Sequence, residues 1–318
     1  MRKVLITGIA GFAGSHLAER LLGRYEVWGL HIDANLTNLS GMKGLRLVEC
    51  DMTDYGKLAG VIGSLKPASV FHLAGQSLPS FSFDHPGETL KTNIFSTLNL
   101  FEAVVALSPS TVVLNIGSAD EYGDVDRNSL PVSEKAELRP LNPYAVSKVT
   151  QDLLAFQYWK SKGLRAVRAR PFNHIGPRQA ESFVASEFAK RIAEIEAGKT
   201  AEKTLMVGNL EAAKDFTDVR DVVAAYELLV EKGSPGEVYN ICAGRAYSIR
   251  ELAERLISLS TEEIEIVRDP SKKRPTDTVA IYGDNSRISS LGWAPRHTLE
   301  ETLKALLDYW RVKVGSGS

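Results

Sequence analysis

The chain has 318 residues, of which 44% are apolar and 24% charged, ordinary values for a folded protein with one large core or two modest ones. A formal net charge of -1 gives no basic excess for a sequence-independent grip on nucleic acid, so any anionic ligand must be met by local groups. Two cysteines, Cys50 and Cys242, exclude a disulfide framework and a cysteine-rich metal site, and no metal is expected. The opening run Val4-Leu5-Ile6-Thr7 is too short, and too soon followed by glycines, for a signal peptide or membrane span. A reducing cytoplasm, with no membrane partner, is the expected setting.

Short β-branched runs at 4–6, 27–30, 46–48, 70–73, 112–116 and 165–168 alternate with helix-compatible stretches at 14–23, 54–65, 88–107 and 143–162. This alternation predicts an α/β protein, a Rossmann-type doubly wound parallel sheet with helices on both faces. Past about residue 170 the series breaks into a Pro- and Gly-punctuated loop, a helix over 182–197, short strands, and amphipathic helices near 249–259 and 299–311. The expected organisation is a dinucleotide-binding domain over 1–169, rejoined by about 215–241, and a smaller C-terminal α/β substrate lobe from 170–214 and 242–312, with 313–318 an appended tail. The cleft between them is the default ligand site.

Thr7-Gly8-Ile9-Ala10-Gly11-Phe12-Ala13-Gly14 follows the first strand and opens the first helix. Gly8 suits the tight turn, Gly11 lets the backbone approach a pyrophosphate, and Gly14 lets helix pack on strand, with the helix N-terminus facing the negative charge. At the end of the second strand, His31 stands where an acid commonly holds the adenosine ribose, and Asp33 lies two residues on. Both NAD(H) and NADP(H) stay open, with a lean to NADP(H), because a carboxylate at position 31 would repel a 2′-phosphate. Asp51 and Met52 follow the third strand and are candidates to reach the adenine, with a loop-start role for Asp51 as the alternative. Leu73, Ala74 and Gly75 end the fourth strand with small residues where a backbone passes close to a cofactor, while His72 reads as packed structure.

Tyr144 and Lys148 are spaced i, i+4 on a predicted helix and share a face. An ammonium near a phenol favours the phenolate and is expected to lower the tyrosine pKa toward working pH. Ser118, at the end of the fifth strand, is placed to hydrogen-bond the same substrate oxygen.

The glycine loop with Phe12 and Ala13, the run His72-Leu73-Ala74-Gly75, Asn93, Gly117-Ser118 and Tyr144-Ala145-Val146-Ser147-Lys148 together resemble the extended short-chain dehydrogenase/reductase family over nearly the whole chain. The resemblance implies hydride transfer to or from a nicotinamide by Ser118, Tyr144 and Lys148, cofactor contacts from Asn93 and Phe172, and a nucleoside diphosphate sugar in the C-terminal lobe. It also implies a homodimer through the helices at 88–107 and 143–162, whose apolar faces could equally be spent on the sheet.

The segments Arg170–Gln179 and Gly208–Asp221 resemble the GDP-sugar branch of that family. Its dehydratases carry an acid and a base beside the serine or threonine, in a run like Thr-Asp/Ser-Glu ahead of Tyr-Gly. Here the run is Ser118-Ala119-Asp120-Glu121-Tyr122-Gly123, in which Ala119 transfers no proton and Asp120 is one methylene short. Reduction of the C4 ketone of a GDP-4-keto-6-deoxy-hexose is therefore the expected activity. A 4,6-dehydratase, a 4-epimerase and a cofactor-sensing binding protein are the alternatives. Substrate contacts are expected from Asp120, Glu121, Asn173, Lys190, Lys214 and Arg274, with solvation or a loop cap the equal alternative for Asp120 and Glu121, and Trp293 is expected in the core.

Overall fold

Successive residues of the first strand, β1 (Lys3–Thr7), go to opposite sides: Val4 and Ile6 enter one buried cluster and Leu5 another. The same split parts Val70 from Phe71, Val113 from Leu114 and Ala166 from Val167. A strand buried on both faces needs an apolar residue at every position, which is why the short β-branched runs become the middle of a sheet covered on both sides.

The computed structural model describes residues 1–32, 35–269 and 280–316. After β1 come α1 (Phe12–Leu21), β2 (Glu26–His31), β3 (Arg46–Glu49), α2 (Tyr55–Leu65), β4 (Ser69–His72), α3 (Pro79–Asp84), α4 (Pro86–Leu107), β5 (Val112–Ile116), α5 (Pro143–Lys162) and β6 (Arg165–Pro171). The chain then forms β7 (Asn173–Ile175), α6 (Val184–Glu196), β8 (Thr204–Val207) and β9 (Ala213–Asp218), and returns through α7 (Val219–Lys232) and β10 (Val238–Ile241). It finishes with β11 (Ala246–Ser248), α8 (Ile249–Ser258), β12 (Glu265–Arg268), β13 (Ala280–Ile281), α9 (Ser286–Ser289) and α10 (Leu299–Gly315).

Seven strands pair in the order β10-β6-β5-β4-β1-β2-β3, every pair parallel. This is the Rossmann arrangement, and the reversal of strand order between β1 and β4 opens a crevice at their carboxyl ends. On one face α1 and α7 supply Leu17, Leu21, Val222 and Leu229 to the core; on the other α2, α4 and α5 supply Leu58, Leu100 and Tyr158. Helix ends follow local chemistry: Asp54 caps α2 by accepting from Lys57 N at 3.1 Å, and Asn142 caps α5, which opens on Pro143 and ends at Gly163 with φ 70°.

The smaller lobe has its own core, in which Phe188 and Ile192 of α6, Leu252 and Leu256 of α8, and Leu303, Leu307 and Trp310 of α10 meet. β9 pairs with β7, β11 and β13 there, so the return to the large sheet begins at Val219 and not near 215. The lobes are joined tightly. Phe172 alone separates β6 from β7, β9 runs directly into α7, and Asp215 accepts from the backbone N–H groups of Ala243 and Gly244 at 2.8 and 2.9 Å where the chain crosses back.

Two expected boundaries are corrected. The first helix starts at Phe12, two residues early, because Gly11 is already extended (φ -70°, ψ 175°) and serves as its N-cap. The last helix continues to Gly315, since Val314 is buried in the small-lobe core, so residues 313–315 belong to that helix and not to a tail. Trp293 lies in the core as expected, its indole N–H donating to Asp221 O at 3.0 Å.

Candidate active site

A cleft of about 1060 Å³ lies along the carboxyl ends of the large sheet and the inner side of the small lobe. Its floor is the glycine turn. Gly8 has φ 68°, and a Cβ there would sit 3.0 Å from the Ala74 backbone; a Cβ on Gly14 would sit 2.3 Å from Gly8 O. The turn is thus closed by backbone against backbone, which only glycine permits. The N-terminus of α1 has no side-chain cap, and Gly11, Phe12 and Ala13 line the cleft.

Asn93 is fully buried and does not line the cleft. Its amide bridges Gln76 N and O at 2.7 and 3.1 Å and donates to Ser147 Oγ at 2.8 Å. Its Oδ1 would lie 2.7 Å from a Cβ on Gly75, so it acts on the cofactor side by holding the Leu73–Gly75 backbone in place. His72 is packed as expected, bonded to Thr7 and Thr97 hydroxyls at 2.9 and 2.8 Å, and burial lowers its pKa to about 3.

Ser118 follows β5 and caps a short 3₁₀ turn over Ala119–Glu121, its Oγ accepting from Asp120 N at 3.1 Å. Its side chain lies near enough to Tyr144 to act on the phenol, and both face the same cleft. Lys148, one turn along α5, donates to Ile116 O at 3.0 Å, and its Nζ lies 5.8 Å from the Tyr144 ring centroid. All three line the cleft, close to the glycine turn.

The electrostatics correct one expectation. Tyr144 is shifted upward, first by burial and then by Asp120 and Glu121, with Ser118 opposing the rise. Lys148 sits near the ring and spends a proton on Ile116 O, so in the resting site it does not bring the phenol down against burial; burial lowers its own pKa to about 8. The phenol is held protonated, which suits it to donate.

His31, Leu73, Ala74, Phe172, Asn173, Lys214 and Asp120 line the cleft. Several other expected contacts are corrected. Asp51 turns back on Thr53, accepting from its N–H and hydroxyl at 2.8 Å each, and Met52 is packed in the core; neither reaches the cleft. Lys190 points away from it into the carboxylates of Glu181 and Glu194. Glu121 is fully buried: Oε1 accepts from Ser118 N at 2.8 Å, and Oε2 lies 3.0 Å from Arg170 Nε in an ion pair without aligned hydrogen-bond geometry. It cannot touch a sugar. Asp33 and Arg274 lie outside the described residues.

Residues the sequence did not single out also face the cleft. His174 stacks on Phe12, and Gln179 donates to His174 O at 2.9 Å while its buried Oε1 has no partner among the described residues. The hydroxyl of Tyr226, on α7, is likewise buried and unpartnered among the described residues, and Tyr226 lines the cleft. The glycine cradle, the uncapped helix end and this orphaned hydroxyl fit a dinucleotide. The one available signal was the polar content of the Arg170–Gln179 loop.

Fold and site together define an NAD(P)-dependent enzyme of the extended short-chain dehydrogenase/reductase class, acting on nucleotide sugars. A family model described as GDP-mannose 4,6 dehydratase matches residues 5–306, and the chain belongs to that family. It is 37% identical over 314 residues to GDP-6-deoxy-D-mannose reductase of Pseudomonas aeruginosa, covering 98% of each chain. Among solved structures it resembles RMD from Pseudomonas aeruginosa complexed with NADPH (TM-score 0.86, 36% identity, 98% and 100% of the two chains). It also resembles UDP-glucose 4-epimerase of Thermotoga maritima with UDP-glucose (TM-score 0.89, 27% identity, 98% and 99%).

Proposed function

We propose that the protein reduces the C4 ketone of a GDP-linked 4-keto-6-deoxy-hexose, GDP-4-keto-6-deoxy-D-mannose to GDP-D-rhamnose, with NADPH the favoured reductant. The observation that carries this reading is the convergence of Ser118, Tyr144 and Lys148 on one cleft with the glycine turn, the phenol being held protonated by burial. The 37% identity to a reductase, and the likeness to a structure complexed with NADPH, support the substrate and the cofactor.

The backbone at Gly8, Gly11 and Gly14 and the N-terminus of α1 hold the diphosphate of the cofactor, whose reduced nicotinamide supplies a hydride when bound. Ser118 orients the ketone oxygen by donating to it. Tyr144 gives that oxygen its proton, and Lys148 offsets the negative charge left on the phenol. In the small lobe Asn173 and Lys214 line the wall against which the sugar diphosphate lies, Lys214 as a point charge and not a fork. Elimination is disfavoured because Ala119 has no proton to move and Glu121 is locked beneath Ser118.

A 4-epimerase or dehydratase returns its cofactor unchanged, whereas a reductase consumes one equivalent per product. Supplying the ketosugar with NADPH and following absorbance at 340 nm should give stoichiometric oxidation. No loss of absorbance with the ketosugar, together with turnover of a GDP-linked 4-hydroxy sugar on the oxidised cofactor without its net consumption, would reject the reductase reading in favour of those two.

The dinucleotide-binding unit is taken as 1–171 joined by 219–241 and by 286–293, whose Ile288 and Trp293 lie in its core, with the rest the substrate lobe. α4 and α5 pack together and leave Phe95, Leu153 and Phe156 exposed at 52%, 54% and 41%, an apolar surface suited to a second copy in a homodimer. Among the described residues no helix is long and apolar enough to cross a membrane. Two buried free thiols, Cys50 and Cys242, are compatible with a reducing cytoplasm.

A further inference from the structure

Glu121 lines no cavity, yet it is built into the site from below. Its carboxylate accepts from Ser118 N at 2.8 Å and completes a reciprocal capping box with the Ser118 side chain. A Cβ on Gly117 would lie 2.1 Å from Glu121 Oε1, so the chain leaves that position bare to make room for the carboxylate. On its far side Arg170 is held by Asp152 at 2.9 Å, and Asp152 also holds Arg168 at 2.7 Å. The groups facing Glu121 are Arg170 from β6, Asp152, Lys148 and Tyr144 from α5, and Tyr122 from its own turn.

The charge state follows from counting. Two arginines, which do not deprotonate in proteins, share this interior with Lys148. Were Glu121 neutral, Asp152 alone would answer three cations in a region where all five side chains are at most 11% exposed. Burial, and next Asp152, hold the Glu121 carboxyl above the usual carboxylate range against the pull of Arg170, the Ser118 N–H and Lys148; the three surrounding cations nonetheless favour its ionised form.

We propose that Glu121 is a positioning residue for the Ser118–Tyr144–Lys148 trio: its carboxylate fixes the turn that carries Ser118, and its charge, anchored by Arg170, keeps the Lys148 ammonium beside the phenol. The kinetic part of this rests on the reductase reading above. Glu121 is the charge that opposes the burial-driven fall of Lys148, and it also raises Tyr144. Its loss moves both groups the same way, so their alkaline transitions shift together to lower pH.

Glu121→Gln keeps the length and an oxygen for the Ser118 N–H while removing the charge. Labelling of Lys148 by acetic anhydride, followed against pH by peptide mass spectrometry on the protein alone, should move its midpoint down by about one pH unit. The alkaline limb of kcat should follow, with kcat about tenfold lower and KM within twofold. If the single variant does not fold, Glu121→Gln/Arg170→Gln removes both members of the pair and should keep the shift, because Glu121 is the charge that acts on Lys148. A wild-type labelling midpoint in whichever variant folds overturns the proposal, as does full recovery of activity in the double variant. A wild-type enzyme that fails to oxidise NADPH would instead reject the reductase reading and leave the labelling result intact.

Discussion

Phe12, the first residue of the helix behind the glycine turn, stacks on His174 with ring centroids 5.5 Å apart and planes 7° apart. One ring belongs to the segment that cradles a dinucleotide and the other to the segment that enters the small lobe. The contact therefore ties the two halves of the cleft at its centre. Phe12→Ala keeps a good helix former at that position but removes the stack, a contact worth about 0.5–1.5 kcal/mol. We expect the NADPH Kd and the KM for the sugar each to rise roughly 2–12-fold, the range to which that energy converts. Fluorescence titration and steady-state kinetics check the two halves separately, and an effect on the cofactor alone would show that the stack does not couple them.

Tyr144→Phe leaves the ring and its packing but removes the proton. The expected result is a loss of about 10²–10⁴ in kcat with NADPH affinity within twofold. Retained turnover would mean that another group protonates the product oxygen.

The pH dependence follows from Lys148, whose pKa burial lowers from 10.5 to about 8. Below that value the ammonium is present to support Tyr144, and above it the charge is lost, so kcat should fall as pH rises through about 8. The effect of this group on stability has the opposite sign. Between about 8 and 10.5 the unfolded chain keeps a proton that the folded chain has released, so the contribution of Lys148 to stability rises with pH across that window. Activity should thus decline while the contribution of Lys148 strengthens the fold, and kcat measured beside urea midpoints from pH 7 to 10, in wild type and Lys148→Met, separates the two.

Lys214 and Lys190 make a controlled pair. Lys214 lines the cleft, whereas Lys190 is engaged by Glu181 and Glu194 outside it. Lys214→Ala should raise the KM for the sugar about 10-fold or more, the scale of one charged hydrogen bond, and Lys190→Ala should leave it within twofold. Equal effects of the two substitutions would remove Lys214 from the substrate wall.

The exposed apolar face of α4 and α5 gives a prediction on assembly. Leu153→Glu combined with Phe156→Glu puts two charges on it without disturbing the buried side of α5. Sedimentation velocity should show the wild type as a dimer and this variant as a monomer with an unchanged far-UV spectrum. A monomeric wild type would dispose of the homodimer.

The glycine turn, Ser118, Tyr144 and Lys148 were legible in the sequence because each depends on local rules: a backbone turn that tolerates no Cβ, a strand end, and an i, i+4 pair on one helix face. The two-faced apolar runs likewise gave the parallel sheet. What could not be read was the direction of side chains whose partners lie far along the chain. Glu121 stood open between a sugar contact and a loop cap, and Arg170, far along the chain on β6, draws it inward. Asn93 looked like a cofactor contact, yet its amide is consumed by Gln76 and Ser147. The upward shift of Tyr144 was also hidden, since helical spacing brings Lys148 near the ring while burial and two acids set the charge at the hydroxyl.

The single residue between β6 and β7 bears on how this enzyme can change its substrate. Phe172 is 2% exposed, β9 runs into α7 without a break, and the crossing from β10 to β11 is held at Asp215. Through these short crossings the small lobe acts as a gauge that sets how far a sugar stands from Tyr144. Acceptance of a different hexose is then expected to come from resculpting the wall around Asn173, Gln179 and Lys214.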